Sequence, residues 1–193
     1  MKTKPLRTYT LKILAGIFFL FISQAIFAQR TPEVAPKPTP TTRILFIFDA
    51  SQSMLGRWQS DTKFNYAKKI MSELLDSLAN VKNLELALRL YGHQNQFPPQ
   101  VCTDSKLEVP FAANNSAKIK ARLRTVSPKG TTPLAYSLEQ SANDFPPCAN
   151  CRNIVVLITD GIEECSGDPC AVSMMLQKNG IVLKNTPRRS HNP

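Results

Sequence analysis

The chain has 193 residues, which is enough for one ordinary domain and little more. Its formal charge is +10 at pH 7, from 24 lysines and arginines against 14 acidic residues. The first 28 residues hold four of the basic residues and no acid, so the rest of the chain carries +6. These charges are scattered rather than clustered, which is typical of solvated surface, and we predict no nucleic-acid partner.

The first 28 residues have the layout of a secretory signal peptide. A basic start is followed by the apolar run 13–27, and Ala28 offers a cleavage position before Gln29. The run is short for a membrane span, so we expect no stable span after cleavage; an uncleaved amino-terminal anchor is the alternative. No cysteine follows the run, which argues against a lipid anchor. The mature chain is therefore predicted to be exported, to the periplasm, the cell surface or the medium.

Residues 29–42 form a proline-rich stretch with almost no large apolar side chain. Prolines favour extended polyproline conformations, which cannot build a core. We interpret 29–42 as a linker that leads to a folded domain at 43–185; a proline-rich binding site for a partner is the alternative. The prolines concerned are Pro32, Pro36, Pro38 and Pro40.

Two continuous apolar runs predict the central strands of a parallel sheet. Residues 43–48 read RILFIF and residues 153–159 read NIVVLIT. Runs that are apolar on both faces suit parallel strands covered by helices on both sides. Asp49 directly follows the first run and Asp160 directly follows the second. Each predicted central strand is therefore followed by its own aspartate at the carboxyl end.

Two weaker strands and four helices complete the predicted fold. Leucines alternate with other residues over 84–90 and predict a strand, and the run 106–111 predicts an edge strand because Pro110 has no N–H to donate. Helices are predicted near residues 67–78, 117–124, 133–143 and 168–178, the last ended by Gly180. Strands that alternate with helices indicate an α/β, doubly wound, mostly parallel sheet with one antiparallel edge strand.

Oxygen-bearing side chains cluster where the predicted central strands end. Ligands of open parallel sheets bind beyond the carboxyl ends of the strands. The loop Asp49-Ala50-Ser51-Gln52-Ser53 leaves the first run, the turn 130–134 supplies a hydroxyl, and Asp160 ends the second run. Oxygen donors without imidazole or thiolate suit Mg²⁺, with Mn²⁺ or Ca²⁺ as substitutes. The predicted metal ligands are Asp49, Ser51, Ser53, Thr132 and Asp160.

The donor set favours binding over catalysis. Hydroxyls are neutral, so only two carboxylates offset the charge of the metal, which would stay electrophilic. A glutamate or aspartate of a protein partner could then complete its coordination. The alternative for the serines and Thr132 is that they merely cap helices.

Three segments together resemble the metal-site motifs of von Willebrand factor type A domains. They are ILFIFDASQSM at 44–54, the turn GTTPL at 130–134 and VVLITDG at 155–161. The resemblance covers about residues 43–185. It implies a metal-ion-dependent adhesion site at the five predicted ligands, which hold the ion directly or through water, and a non-catalytic adhesion module. A metal-dependent hydrolase and a non-functional truncated fragment are the alternative functions.

Five cysteines in an exported chain predict disulfides, and the odd count leaves one unpaired. Our first prediction is a local disulfide between Cys165 and Cys170, a segment that resembles a loop of bacterial members of the family. Cys148 and Cys151 could form a second local disulfide, a redox pair or half of a zinc site. Cys102 could pair with one of these cysteines.

Two further expectations concern the chain after Asp160. Glu163 and Glu164 are interpreted as solvated loop acids. Residues 181–183 begin another strand, but 186–193 turn polar and are predicted to be an irregular tail. The last strands of the family's sheet are therefore predicted to be missing, as in a reading frame truncated near Lys184, which would leave the strand at 153–159 exposed along one edge.

Overall fold

The computed structural model describes residues 38–185. The predicted signal peptide at 1–28, most of the predicted linker and the predicted tail at 186–193 lie outside the described residues. The prediction that the last strands are missing concerns that same stretch after Asn185. None of the helices within 38–185 has the length and hydropathy needed to cross a membrane.

The described residues form a five-stranded sheet, a two-stranded ribbon, four α-helices and one 3-10 helix. The strands are β1 (Thr41–Asp49), β2 (Arg57–Trp58), β3 (Asp61–Thr62), β4 (Leu84–Tyr91), β5 (Ser105–Ala113), β6 (Cys151–Ile158) and β7 (Ile181–Asn185). The helices are α1 (Lys63–Ser77), α2 (Ser116–Thr125), α3 (Leu134–Asp144) and α4 (Pro169–Lys178), and the 3-10 helix is Gln52–Leu55.

The sheet has the order β5-β4-β1-β6-β7. β1 pairs in parallel with both β4 and β6, and β6 pairs in parallel with β7. The prediction that the strand at 153–159 is exposed along one edge is wrong, because β7 pairs along that edge. β5 pairs with β4 in antiparallel fashion and lies at the sheet edge, as Pro110 predicts. The predicted fold class is confirmed: a mostly parallel, doubly wound sheet with one antiparallel pair.

Helices cover both faces of the sheet because β1 is apolar on both faces. Phe46 and Phe48 point into a core shared with α1 and α2, whereas Leu45 and Ile47 point into a second core shared with α3 and α4. All four side chains are fully buried, which contributes about 2 kcal/mol each. The two cores fix β1 at the centre and thereby fix where its carboxyl end lies.

Local signals set the ends of the helices. The Thr62 hydroxyl accepts a hydrogen bond from the Asn65 N–H at the start of α1. The Asp168 carboxylate accepts hydrogen bonds from the first turn of α4, where Pro169 needs no N–H partner, as predicted. Gly180 follows α4 with a φ of +76°, a conformation that favours glycine.

The first strand begins two residues earlier than predicted. Thr41 and Thr42 belong to β1 rather than to the linker, because the Thr41 N–H donates to the Asn150 carbonyl and the Thr42 N–H donates to the Asn83 carbonyl. β-branched threonines fit such a strand position. The predicted linker boundary at residue 42 is therefore wrong by two residues.

Candidate metal centre

The candidate metal centre lies at the carboxyl edge of the sheet, where three loops meet. One loop leaves β1 after Asp49, one enters α3 through Thr132, and one leaves β6 through Asp160. Asp49 and Asp160 come to the same edge because β1 and β6 are parallel neighbours. A backbone bridge between Ser51 and Gly130 joins the first two loops.

Asp49 is fully buried and bound on both carboxylate oxygens. Its Oδ1 accepts from the Ser51 N–H at 2.8 Å, and its Oδ2 accepts from the Thr159 hydroxyl at 2.6 Å. Burial raises the pKa of Asp49 above its usual value, although hydrogen bonds from Ser51 and Thr159 act in the opposite direction. Within the described part of the chain no basic side chain pairs with Asp49. A cation from outside would therefore stabilise its ionised form.

The two serines link the aspartates through a chain of hydrogen bonds. The Ser51 and Ser53 hydroxyl oxygens lie 3.0 Å apart, and the Ser53 hydroxyl donates to Asp160 Oδ1 at 2.9 Å. Ser51 is 1% exposed and held in place by the Gln52 N–H, which donates to the Gly130 carbonyl at 2.8 Å. With the bond from the Ser51 N–H to Asp49, four of the predicted ligands thus lie in one hydrogen-bonded row.

Asp160 differs from Asp49 in having a cation of the protein beside it. Its side chain is 10% exposed, and its Oδ2 accepts a hydrogen bond from the Lys63 ammonium at the start of α1. No local sequence pattern predicts this contact, since 97 residues separate the partners.

Thr132 faces the same space from the loop before α3. A Cβ added to Gly161 would lie 3.6 Å from the Thr132 hydroxyl oxygen and 3.8 Å from Asp49 Oδ2. Thr132 is 1% exposed, and its backbone N–H donates to Glu164 Oε2 at 2.9 Å. The absence of a side chain at Gly161 keeps this space open between the threonine and the aspartate.

The helix-capping alternative does not describe these hydroxyls. Ser51 precedes the 3-10 helix but its side chain makes no capping hydrogen bond. Pro133 occupies the cap position of α3, where no side-chain capping bond forms. The hydroxyls of Ser51 and Ser53 are instead directed at each other and at Asp160.

Thr159 and Tyr91 support the site and were not predicted from the sequence. The buried Tyr91 hydroxyl donates to the Thr159 hydroxyl oxygen at 2.9 Å, and Thr159 donates in turn to Asp49. Burial and then the nearby Asp49 charge raise the pKa of Tyr91 well above 10, so its hydroxyl stays protonated as a donor. Tyr91 lies opposite Asp49 in the pairing of β4 with β1. Aligning the two predicted strands in this register would have placed Tyr91 beside the site.

Glu163 and Glu164 lie in the loop as predicted, and Glu164 is exposed, but both side chains also accept hydrogen bonds from backbone N–H groups, which was not predicted. The Glu163 carboxylate accepts from the N–H groups of Ala135 and Cys165, each at 2.6 Å. Glu164 accepts from the Thr132 N–H, as noted above. Ala135 lies in the first turn of α3, where unpaired N–H groups attract a carboxylate. Both glutamates therefore fix the loop that carries Thr132.

The predicted disulfide between Cys165 and Cys170 is wrong. Cys165 pairs with Cys102, 63 positions away, with Cα atoms 5.6 Å apart. Cys170 is a free, exposed cysteine because it lies in the first turn of α4, with its N–H bound to Asp168. The disulfide of Cys148 with Cys151 is confirmed. The Cys102–Cys165 bridge joins the loop after β4 to the loop after β6, beside the site.

The donor set restricts which metal could bind. The described residues contain no group of three or more histidine, cysteine, aspartate or glutamate side chains that could hold a metal ion. A metal here would rest on two carboxylates supplemented by hydroxyls. Such a hard, oxygen-only set fits Mg²⁺, Mn²⁺ or Ca²⁺.

The family model of the von Willebrand factor type A domain matches residues 44–163 of this chain. The match covers more than half of the chain and contains all five predicted ligands. The chain belongs to the von Willebrand factor type A family. Domains of this family are typically non-catalytic interaction modules and commonly bind protein partners at a metal-ion-dependent adhesion site.

Known proteins place this type A domain among bacterial and animal relatives of the same fold. The uncharacterised protein YwmC of Bacillus subtilis is 29% identical over 182 residues, covering 92% of this chain and 78% of YwmC. An aerotolerance-related membrane protein from Bacteroides fragilis superposes with a TM-score of 0.61 at 19% identity, covering 79% and 75% of the two chains. The proximal thread matrix protein 1 of the mussel byssus superposes with a TM-score of 0.53 at 20% identity, covering 78% of this chain and 39% of that chain; in that structure zinc occupies the metal-ion-dependent adhesion site motif.

Proposed function

We propose that this chain is a divalent-metal-dependent protein-binding or adhesion module whose ion is held by the five predicted ligands. The observation that carries the proposal is the hydrogen-bonded row Asp49, Ser51, Ser53 and Asp160 at the carboxyl edge of the sheet, with Thr132 facing it. These side chains come from three loops that meet at the carboxyl edge of a mostly parallel sheet, which is where such sheets bind ligands.

The charge of the row supports a divalent cation. Asp49 is buried without a basic partner among the described residues, and burial of an unpaired carboxylate costs free energy. A divalent ion between Asp49 and Asp160 would offset that cost. Because the other donors are neutral hydroxyls, the ion would keep an open position for a partner's glutamate or aspartate.

Mg²⁺ is the ion that the donors favour, with Mn²⁺ or Ca²⁺ as substitutes. The mussel byssus protein, with zinc in its adhesion-site motif, supports the view that this fold can hold a divalent ion. Oxygen ligands alone make zinc a weaker choice for this chain, since zinc prefers nitrogen and sulfur.

An apolar groove beside the site favours a protein partner over a small anion. The groove has a volume of about 580 Å³ and lies between α1 and β6. Lys63 and Asp160 are among the residues that line it. Its walls include Ile70, which is 59% exposed, and Val156. Apolar residues that flank a partner's acidic side chain could pack in this groove while the acidic side chain binds the metal.

The two disulfides indicate an oxidising compartment. Together with the predicted signal peptide at 1–28, they support export to the periplasm, the cell surface or the medium. An adhesion role is compatible with each of these locations.

The experiment is a calorimetric titration of the purified mature chain with Mg²⁺ and Mn²⁺, paired with thermal melts. The wild type is compared with Asp49→Ala and with Asp76→Ala, an exposed aspartate on α1. We expect saturable binding and a raised melting temperature for the wild type and Asp76→Ala, and neither effect for Asp49→Ala. A cooperative melt without binding in the wild type would contradict the proposal.

The partner is tested in a second step. Wild type and Asp49→Ala are immobilised and incubated with cell-envelope extract in Mg²⁺ or in EDTA. A partner that is retained only by the wild type, and only in Mg²⁺, supports the proposed mode of binding. Retention that is equal in EDTA would show that binding does not pass through the ion.

A further inference from the structure

Lys63 places a cation of the protein against one of the proposed metal ligands. It is the first residue of α1, directly after the capping residue Thr62. Its ammonium donates to Asp160 Oδ2, while Asp160 Oδ1 accepts from Ser53. The side chain of Lys63 is 32% exposed, so its ammonium reaches the site from the solvent side.

The ion pair with Lys63 differs from an ordinary surface pair in the burial of its acid. Asp160 is only 10% exposed, so its charge has little water to stabilise it. Asp49, in contrast, has no basic partner among the described residues. Lys63 therefore supplies a positive charge to the centre, and it supplies that charge at Asp160.

From this geometry we propose that Lys63 is an internal cation that competes with the divalent metal for Asp160 and so sets the metal affinity. The inference rests on the proposed function, since it concerns the same site. An incoming divalent ion meets an ammonium in contact with its ligand and is repelled by it. Binding requires the ion pair to break and the flexible lysine stem to turn into solvent, which its partial exposure permits.

The competition has two consequences of opposite sign. Without the lysine charge, Asp160 of the metal-free protein loses this ion pair in a mostly buried place, and the protein is less stable. The same change removes the competitor, so the metal binds more tightly and stabilises the protein more. A lysine whose only role is structural would produce the first effect without the second.

The test measures Mn²⁺ affinity by calorimetry and melting temperature in EDTA and in saturating Mn²⁺ on the mature full chain. Lys63→Met removes the charge, Lys63→Gln does so with a polar side chain, and Lys63→Arg keeps the charge. Lys68→Met is the matched control, because Lys68 lies on the same helix over the Phe64 ring. Mn²⁺ alone is the probe.

We expect both neutral variants to bind Mn²⁺ at least about tenfold more tightly than the wild type. Their melting temperature in EDTA should fall and their gain on adding Mn²⁺ should grow. Lys63→Arg should stay near the wild type, and Lys68→Met should bind Mn²⁺ as the wild type does.

Unchanged or weaker Mn²⁺ binding by both neutral variants, with normal binding by the wild type, overturns the role of Lys63 and leaves the proposed function standing. Absence of binding by the wild type and by every variant overturns both. If Lys63→Met does not melt cooperatively, the affinity of Lys63→Gln decides.

Discussion

Two polar clusters lie near the carboxyl ends of the central strands. The negative charges of their carboxylates are balanced in different ways. The ion-paired cluster surrounds Glu108 of β5. Glu108 bonds to His93 at 3.0 Å, to Arg122 at 2.8 Å and to Lys106 at 3.3 Å. The neighbouring Asp104 is 1% exposed and accepts from the N–H groups of Gln94 and Asn95.

The candidate metal centre has the same number of buried or nearly buried carboxylates but far fewer cations. Asp49 and Asp160 accept hydrogen bonds from hydroxyls, and Lys63 forms an ion pair with Asp160. The comparison teaches that carboxylates satisfied by the chain's own cations and N–H groups serve the fold. Carboxylates set among neutral hydroxyls leave room for an ion from outside.

The largest expected effect comes from removing the disulfide that joins the loops of the two clusters. Cys102 is two residues before Asp104, and Cys165 is five residues after Asp160. Replacing both cysteines by serine should cost about 4 kcal/mol of unfolding free energy, because the bond closes a long loop. Urea denaturation measures the loss.

The control is the double serine variant of Cys148 and Cys151, which closes a short loop and should lose about 2 kcal/mol. Both pairs are changed in a Cys170→Ser background so that the free thiol cannot exchange. Peptide mapping without reduction that found Cys165 bonded to Cys170 would contradict the connectivity described here.

Gly92→Ala should come next, because Gly92 separates the two clusters and has no room for a side chain. Its φ is +69°, and an added Cβ would lie 2.7 Å from both Ser51 Cα and the Thr131 carbonyl oxygen. We expect a loss of about 3 kcal/mol in thermal or urea unfolding, with weaker Mn²⁺ binding as Ser51 is displaced.

Gly180→Ala is the matched control for Gly92. It has a similar φ of +76° but no atom within 4 Å of the added Cβ. Its cost should be only the conformational strain, about 1 kcal/mol, with Mn²⁺ affinity unchanged. Equal losses for the two variants would mean that the close approach at Gly92 has no energetic importance.

Glu108→Gln should weaken the ion-paired cluster and leave Mn²⁺ affinity unchanged. Burial raises the pKa of Glu108, but hydrogen bonds from Arg122, His93 and Lys106 outweigh it and lower the pKa from 4.5 to about 2. Loss of these charged hydrogen bonds should cost about 2 kcal/mol at pH 7. Glu73→Gln, on the exposed face of α1, serves as the control.

The pH dependence of the same variant has a defined sign. Because the folded pKa of Glu108 is depressed, its stabilisation is complete above the unfolded value of 4.5 and is lost as the pH falls toward 2. The melting temperature of the wild type should therefore fall more steeply than that of Glu108→Gln as the pH falls from about 5 to about 3. Parallel curves would show that Glu108 does not carry this dependence.

Ser53→Ala should give the smallest change, and the change should lower Mn²⁺ affinity rather than the free energy of unfolding. Ser53 is exposed in the 3-10 helix Gln52–Leu55, and its hydroxyl bonds to Ser51 and Asp160. We expect Mn²⁺ affinity to drop about tenfold, or about 1.4 kcal/mol, with unfolding free energy changed by less than about 1 kcal/mol. Ser60→Ala, which removes an exposed hydroxyl bonded to Tyr66, is the control for calorimetry.

The sequence by itself determined the central strands and the residues at their ends. Continuous apolar runs can be buried on both faces only as central strands, so RILFIF and NIVVLIT fixed β1 and β6 and brought Asp49 and Asp160 to one edge. Pro110 placed β5 at the sheet edge, and Asp168 with Pro169 marked the start of α4. These signals are local, since each depends on residues a few positions apart.

Tertiary structure alone decided the partners of those residues. Lys63 meets Asp160 across 97 positions, Tyr91 reaches Thr159 across 68, and Cys165 bonds to Cys102 rather than to nearby Cys170. Glu163 and Glu164 hold N–H groups of the loop around Thr132, which no local pattern of acids reveals. Such contacts depend on how the loops after β4 and β6 pack together, and sequence spacing carries no information about a distance that only the folded sheet sets.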